Sequence, residues 1–154
     1  ELKPAPVLLA DIIRRVASLQ RKAFAVKNLT VAVATPHGMT DDQLVATGDA
    51  MLCYSLIQNL MKNACEAAPE SSTVTVTLAP GEKHLKIRIE NQGTVPPAIR
   101  ETFFKKFATA GKQGGTGLGT FSAKLLTEAQ NGSIAMETSD EKNMTILSLS
   151  FPQG

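Results

Sequence analysis

The chain has 154 residues, 43% of them apolar, and its 16 Lys and Arg against 14 Asp and Glu leave a net charge of only +2. That length suits one compact domain burying roughly 70% of its unfolded surface. The charge is spread along the chain with no basic stripe, which argues against a nucleic-acid partner. No apolar run approaches the roughly 20 residues needed to cross a bilayer, and no basic and apolar leader precedes Leu2. The expectation is a cytoplasmic domain without direct membrane contact. A start at Glu1-Leu2-Lys3, with no initiator Met, reads as a piece of a longer protein whose other parts can include membrane segments.

Residues 8–26 carry Leu9, Ile12, Ile13, Val16, Leu19, Ala23 and Val26 at spacings of three and four, which predicts an amphipathic helix lying on a sheet. Residues 29–35 alternate as a strand and end at Pro36-His37-Gly38; a loop runs on through Asp42. Gly48-Asp49 can cap a long helix over residues 50–67 whose apolar stripe is Cys53, Leu56, Ile57, Leu60, Ala64 and Ala67. Cys53 and Cys65 fall on that helix about 18 Å apart, too far to pair, and read as buried thiols in a reducing compartment. Strands are predicted over 73–78 and 85–90, joined by the turn residues Ala79-Pro80-Gly81-Glu82. Residues 91–117 read as loop, 118–129 as a helix ended by Asn131-Gly132, and 133–137 and 144–151 as a closing hairpin. One apolar face per helix and paired strands predict an α+β fold, a two-layer sandwich in which three helices cover one face of a mixed, mostly antiparallel sheet.

Three features carry chemistry. Asn59 and Asn63 lie one turn apart on the same helix face, off the apolar stripe; carboxamide oxygens are hard neutral donors that suit magnesium when phosphates and water complete its shell. Glu90-Asn91-Gln92-Gly93 ends a strand, where Asn91 can accept a hydrogen bond from an exocyclic amine and Gly93 lets a flat base approach the backbone. Gly111-Lys112-Gln113-Gly114-Gly115-Thr116-Gly117-Leu118-Gly119 packs five of the chain's eleven glycines into nine residues and leads into a helix, the arrangement that turns backbone N–H groups toward an anion. It is not a P-loop, because Gln113 follows Lys112 where Ser or Thr is required. Singly, each has a plainer reading: a solvated helix face, a turn, a linker. Phe103, Phe104 and Phe107, between Pro96-Pro97 and the glycines, suggest a lid over residues 94–114 or the packing of a short helix.

Together these residues resemble the ATP-binding catalytic domain of sensor histidine kinases, in the superfamily shared with gyrase, heat-shock and mismatch-repair ATPases. Asn59-Leu60-Met61-Lys62-Asn63-Ala64 looks like the family's asparagine motif and Asn91-Gln92-Gly93 like its adenine motif. Phe104 to Phe107 looks like its phenylalanine motif, and Gly115-Thr116-Gly117-Leu118-Gly119 like its glycine-rich phosphate motif. The resemblance implies ATP and Mg2+ as ligands, Asn63 as the main magnesium ligand with Asn59 assisting, Lys112 near the terminal phosphate, and Thr145 supporting the adenine site. The chain departs from the pattern at Asn91, where the family has Asp, at Val95, where it has a second Gly, and at Glu66, where many members carry a basic residue. A carboxamide offers an NH2 donor as well as an acceptor, so Asn91 leads to an expectation of reduced discrimination between ATP and GTP.

Hydrolases of the superfamily carry Glu at the position of Asn59, and Asn cannot take a proton from water. The resemblance thus implies transfer to a histidine on a separate dimerisation and phosphotransfer domain, absent from this chain, and onward to a response regulator. His37 and His84 lack the family's acceptor context, and the domain alone should bind nucleotide with little turnover. Two alternatives stand beside this reading: a module that binds nucleotide or a partner without phosphotransfer, and, disfavoured by Asn59, a serine protein kinase.

Overall fold

The structure is a computed structural model and describes residues 4–105 and 119–153. In chain order the elements are β1 (Ala5–Leu8), α1 (Leu9–Ala23), β2 (Thr30–Ala34), β3 (Val45–Gly48), α2 (Ala50–Ala67), β4 (Thr73–Pro80), β5 (His84–Gln92), α3 (Gly119–Glu128), β6 (Ser133–Ser139) and β7 (Met144–Pro152). Five strands form one sheet in the order β2-β4-β5-β7-β6. β2 runs parallel to β4, and the other three pairings are antiparallel. This is the mixed, mostly antiparallel sheet with three helices that the apolar periodicities require.

Alternation along the strands separates the two faces. Val74, Val76 and Leu78 of β4, Leu85, Ile87 and Ile89 of β5, and Leu147, Leu149 and Phe151 of β7 are buried. Their neighbours Thr75, Thr77, Lys86, Arg88, Ser148 and Ser150 lie on the other, polar face. The buried stripe of α2 is Cys53, Leu56, Ile57, Leu60, Met61, Ala64 and Cys65; Ala67 is exposed. Burying one such Leu or Ile contributes about 1.5–3 kcal/mol. A surface pair such as Arg15–Asp11, with side chains 68% and 50% exposed, contributes under about 1 kcal/mol. The apolar layer therefore holds the helices on the sheet.

Three local features differ from the sequence reading. β1 and β3 pair antiparallel outside the main sheet, Ala5 opposite Gly48. Four-residue strands containing Pro6 and Gly48 have too few alternations to register as a period. The first helix stops at Ala23, so Val26 falls in the following turn and is 97% exposed, while Leu19 is 44% exposed. The buried phase of α1 is Leu9, Ile12, Ile13, Val16, Ala17 and Gln20, and a 100° step per residue rotates Leu19 off it.

Both ends of α2 are closed by side chains. Asp49 accepts from Leu52 N at 3.0 Å. Lys27 Nζ donates to the terminal carbonyls of Cys65 at 2.9 Å and Glu66 at 3.0 Å, placing a cation at the negative end of the helix. After α3, Asn131 takes φ +62°, and Gly132 passes so close to β7 that an added Cβ would lie 2.5 Å from Ser150 O.

Gly132→Ala should therefore destabilise the domain by roughly 2 kcal/mol through overpacking against backbone, read as a lower urea midpoint at unchanged slope. Burial pushes both the Cys53 and Cys65 thiols up to about 11. At pH 7.5 they should react with Ellman's reagent only as fast as the domain unfolds; prompt reaction of either in the folded protein contradicts its burial.

Candidate functional site

The site is organised by the way α3 lies on α2. Just past α3, Gln130 Oε1 accepts from Asp49 N at 2.7 Å and from Cys53 Sγ at 3.3 Å, while Gln130 Nε2 donates to Leu126 O at 2.9 Å. Gly48 leaves room for this contact, since a Cβ there would lie 2.5 Å from Gln130 Oε1. The residue just past α3 is thus fastened to the N-terminal end of α2. Asn59 and Asn63 are both half-buried on α2, the helix against which α3 packs, and the N-terminus of a helix such as α3 offers the N–H groups and positive dipole end that attract anions.

Gly119 is the first residue of α3. Lys112, Gly115, Thr116, Gly117 and Leu118, with Phe107, lie outside the described residues. Thr120 Oγ1 donates to Phe103 O at 2.7 Å, tying the first turn of α3 to the aromatic segment. There Phe103 is buried and meets Phe104 edge-on, ring centres 4.9 Å apart at 88°.

The second half of the site lies where β5 ends beside β7. Asn91, 5% exposed, pairs across the sheet with Val74 on one side and Thr145 on the other. Its Nδ2 donates to Gln92 O at 2.9 Å. Gly93 has φ +108°, a conformation that L side chains rarely adopt. Its N–H donates to Asn143 O at 2.7 Å, and its carbonyl accepts from Thr145 Oγ1 at 2.8 Å. Val95 N donates to Thr138 Oγ1 at 3.0 Å, and that hydroxyl lies 3.2 Å from Thr145 Oγ1. Val95 O accepts from Arg100 Nε at 2.7 Å, and Arg100 also grips both oxygens of Asp140 at 2.6 and 3.1 Å. The guanidinium holds the Asp140 carboxyl below its ordinary value. This depressed carboxylate favours folding above its unfolded pKa, and that contribution is lost as pH falls through the lower folded value.

The structure brings Asn91, Gly93 and Thr145 together at the end of β5; Asn59 and Asn63 lie on α2 and Gly119 at the start of α3, two helices that pack on one another. Val95 occupies the position of the absent second glycine with its side chain buried and without positive φ; the glycine that the turn requires is the one retained. Gln130, Thr138, Arg100 and Asp140 support the site and escaped the sequence reading. Each acts through a partner 40 or more residues away in the chain, and no local pattern announces such a contact.

A separate groove of about 400 Å³ lies on the outer side of α3, lined by Phe104, Phe121, Leu125 and Met136 with Lys124 and Glu128 at its rim. None of the asparagines lines it.

This architecture is that of histidine kinase catalytic domains. It superposes on the catalytic domain of histidine kinase ThkA with TM-score 0.83 and 23% identity, covering 98% of each chain. It superposes on full-length ShkA in complex with AMPPNP with TM-score 0.82 and 21% identity, covering 100% of this chain and 32% of that one. The chain belongs to the histidine kinase-, DNA gyrase B- and HSP90-like ATPase family, whose sequence profile matches residues 48–154. Among curated relatives, the CAI-1 autoinducer sensor kinase/phosphatase CqsS of Vibrio cholerae is 33% identical over 106 residues, which are 68% of this chain and 15% of that protein. The sensor protein TorS of Escherichia coli is 30% identical over 128 residues, 81% of this chain and 14% of that protein. Sporulation kinase A of Bacillus subtilis is 28% identical over 113 residues, 73% of this chain and 18% of that protein. The chain thus spans less than a fifth of each of these sensor kinases.

Thr145→Val should leave the Gly93 carbonyl without its hydroxyl donor, at a cost of about 1–3 kcal/mol. Thermal or urea unfolding measures it; a variant as stable as the parent means that water replaces the hydroxyl.

Proposed function

We propose that this domain binds Mg-ATP and positions the γ-phosphate for transfer to a histidine on a separate dimerisation domain of the parent kinase, from which a response regulator is charged. What supports the proposal is the packing of α3, the helix into which the glycine-rich run leads, against α2, which carries Asn59 and Asn63. The triphosphate lies between them, with the amides around residues 114–119 and Lys112 on its oxygens. Asn63, assisted by Asn59, holds the magnesium. The donor set fits that ion: the carboxamides are hard and neutral, and among the described residues no group of three or more His, Cys, Asp or Glu is placed to hold a metal. The ion accordingly arrives with phosphates and water as most of its shell. The base lies at Asn91 and Gly93, backed by Thr145, and residues 94–114 with Phe103, Phe104 and Phe107 form the lid. The AMPPNP complex of ShkA supports a nucleotide in this fold.

Asn59 offers no proton acceptor, so the domain contributes orientation and charge neutralisation, and the acceptor histidine supplies its own base from another domain. The use of ATP places the domain in the cytoplasm. A second reading, nucleotide binding as a regulatory signal without transfer, is favoured by the neutral Asn91 in place of an acid.

Titration of Mg-AMPPNP into this chain should give a clear heat. Asn63→Ala should weaken binding at least about tenfold with magnesium present and far less in EDTA, as expected when a direct metal ligand is removed. An equal loss in both conditions would remove Asn63 from the metal, and no heat from the wild type at millimolar nucleotide would remove the nucleotide site. Joined to the upstream helices of its parent, the domain should move label from the γ-phosphate onto His; nucleotide binding with no labelled protein would favour the regulatory reading.

A further inference from the structure

An edge strand carries a row of unpaired N–H and C=O groups, and proteins that stay single chains blunt such rows with Lys, Pro, bulges or a covering contact. The two edges of this sheet are treated differently. β2, five residues long, is covered: Arg21 reaches from α1 and donates to Val31 O from Nε at 3.0 Å and Nη2 at 2.7 Å. β6, the opposite edge, is seven residues long and holds no Lys, Pro or Gly. Among the described residues no loop backbone bonds to it. Beside it α3 leaves the groove of about 400 Å³, which Met136 of β6 lines together with Leu125 of α3, and Leu125 is 52% exposed.

We propose that β6 is an interface for a second copy of this chain, pairing antiparallel with itself about a two-fold axis through Met136 and joining the two sheets into one. The sequence of the strand selects that partner. With the axis at Met136 all seven residues of β6 pair, and the residues facing the helices lie on the same side in both copies. On that side Met136 meets its own copy and Ile134 meets Thr138. On the open side Ser133 meets Ser139, and Glu137, the strand's one charge, meets the exposed Ala135. Moving the axis to Glu137 sets that carboxylate against its copy, a destabilising like-charge pair; moving it to Ala135 loses two of the seven pairs. The groove fits the same partner. Lys124 and Glu128 of α3 stand at its rim, and the two-fold turn runs the second α3 antiparallel to the first, which brings cation toward anion. Leu125 and Met136 are then covered by their own copies. A contact of this isologous kind closes on itself and stops at two chains. It uses neither the asparagines of α2 nor the turn 91–95, so it stands apart from the nucleotide reading.

The test is sedimentation velocity of this chain from micromolar to millimolar concentration. The mean mass should rise from one chain toward two and no further, with hydrogen exchange at the β6 amides slowing as it rises. Ala135→Glu sets a carboxylate opposite Glu137 twice across the axis and should weaken association about fivefold or more. Ala135→Lys makes the same two pairs attractive and should tighten it by a similar factor. Ala135 is exposed, so both variants should fold, which circular dichroism checks. Ala34→Glu, an exposed position on the covered edge, should leave association unchanged. A mass of one chain throughout overturns the pairing and leaves the edge to a strand of another protein, and growth past two chains overturns the two-fold closure. Equal behaviour of the Glu and Lys variants at position 135, or loss of assembly in Ala34→Glu, puts the contact on another surface and overturns it as well. The wild-type mass and the exchange at β6 decide the matter even if a variant does not fold.

Discussion

The packing of α3 on α2 is the constraint on which the rest of the molecule depends. Neither helix alone makes a site: Asn59 and Asn63 are two carboxamides on a half-buried face, and a glycine-led helix is one of many possible anion cradles. What relates them in space is that Gln130 fastens the end of α3 to the capped start of α2, so that the proposed ligand groups are carried by two helices packed on one another. The apolar stripe of α2 holds this pair against the sheet, and Ala123 and Thr127 of α3 are buried with it.

The other end of the site is built on a different principle. Where β5 runs out against β7, the turn 91–95 is held by hydroxyls and one guanidinium in addition to the buried Val95. Thr138 and Thr145 share a contact, each reaching to a different residue of the turn, and Arg100 closes it from outside through Asp140. A satisfied buried polar network of this kind holds the turn in one conformation.

Much of this was legible beforehand, and unevenly. Long periodic elements were placed well: α2 was bounded at Ala50 and Ala67, and the hairpin strands β4 and β5 each fell within two residues of their ends, because an 18-residue stripe and strict alternation repeat often enough to fix a phase. β1 and β3 were invisible, being four residues each and defined only by each other. Leu19 and Val26 were assigned to the buried face of a helix that in fact turns Gln20 inward and stops at Ala23. The motif residues Asn59, Asn63, Asn91, Gly93 and Gly119 stand out because residue type and spacing suggest a chemistry; Gln130, Thr138, Arg100 and Asp140, which act through distant partners, do not.

By itself, the sequence determined the two-layer class, the faces of the strands and the main helix, since all of these follow from local period and side-chain chemistry. Only the tertiary structure decided how α3 is fastened to α2 and which carbonyl holds the Asn91 amide. An amide's orientation depends on the neighbour that accepts its proton, and the register of two helices depends on a contact between residues 81 positions apart. Both are properties of packing across the chain, and no run of neighbouring residues encodes them.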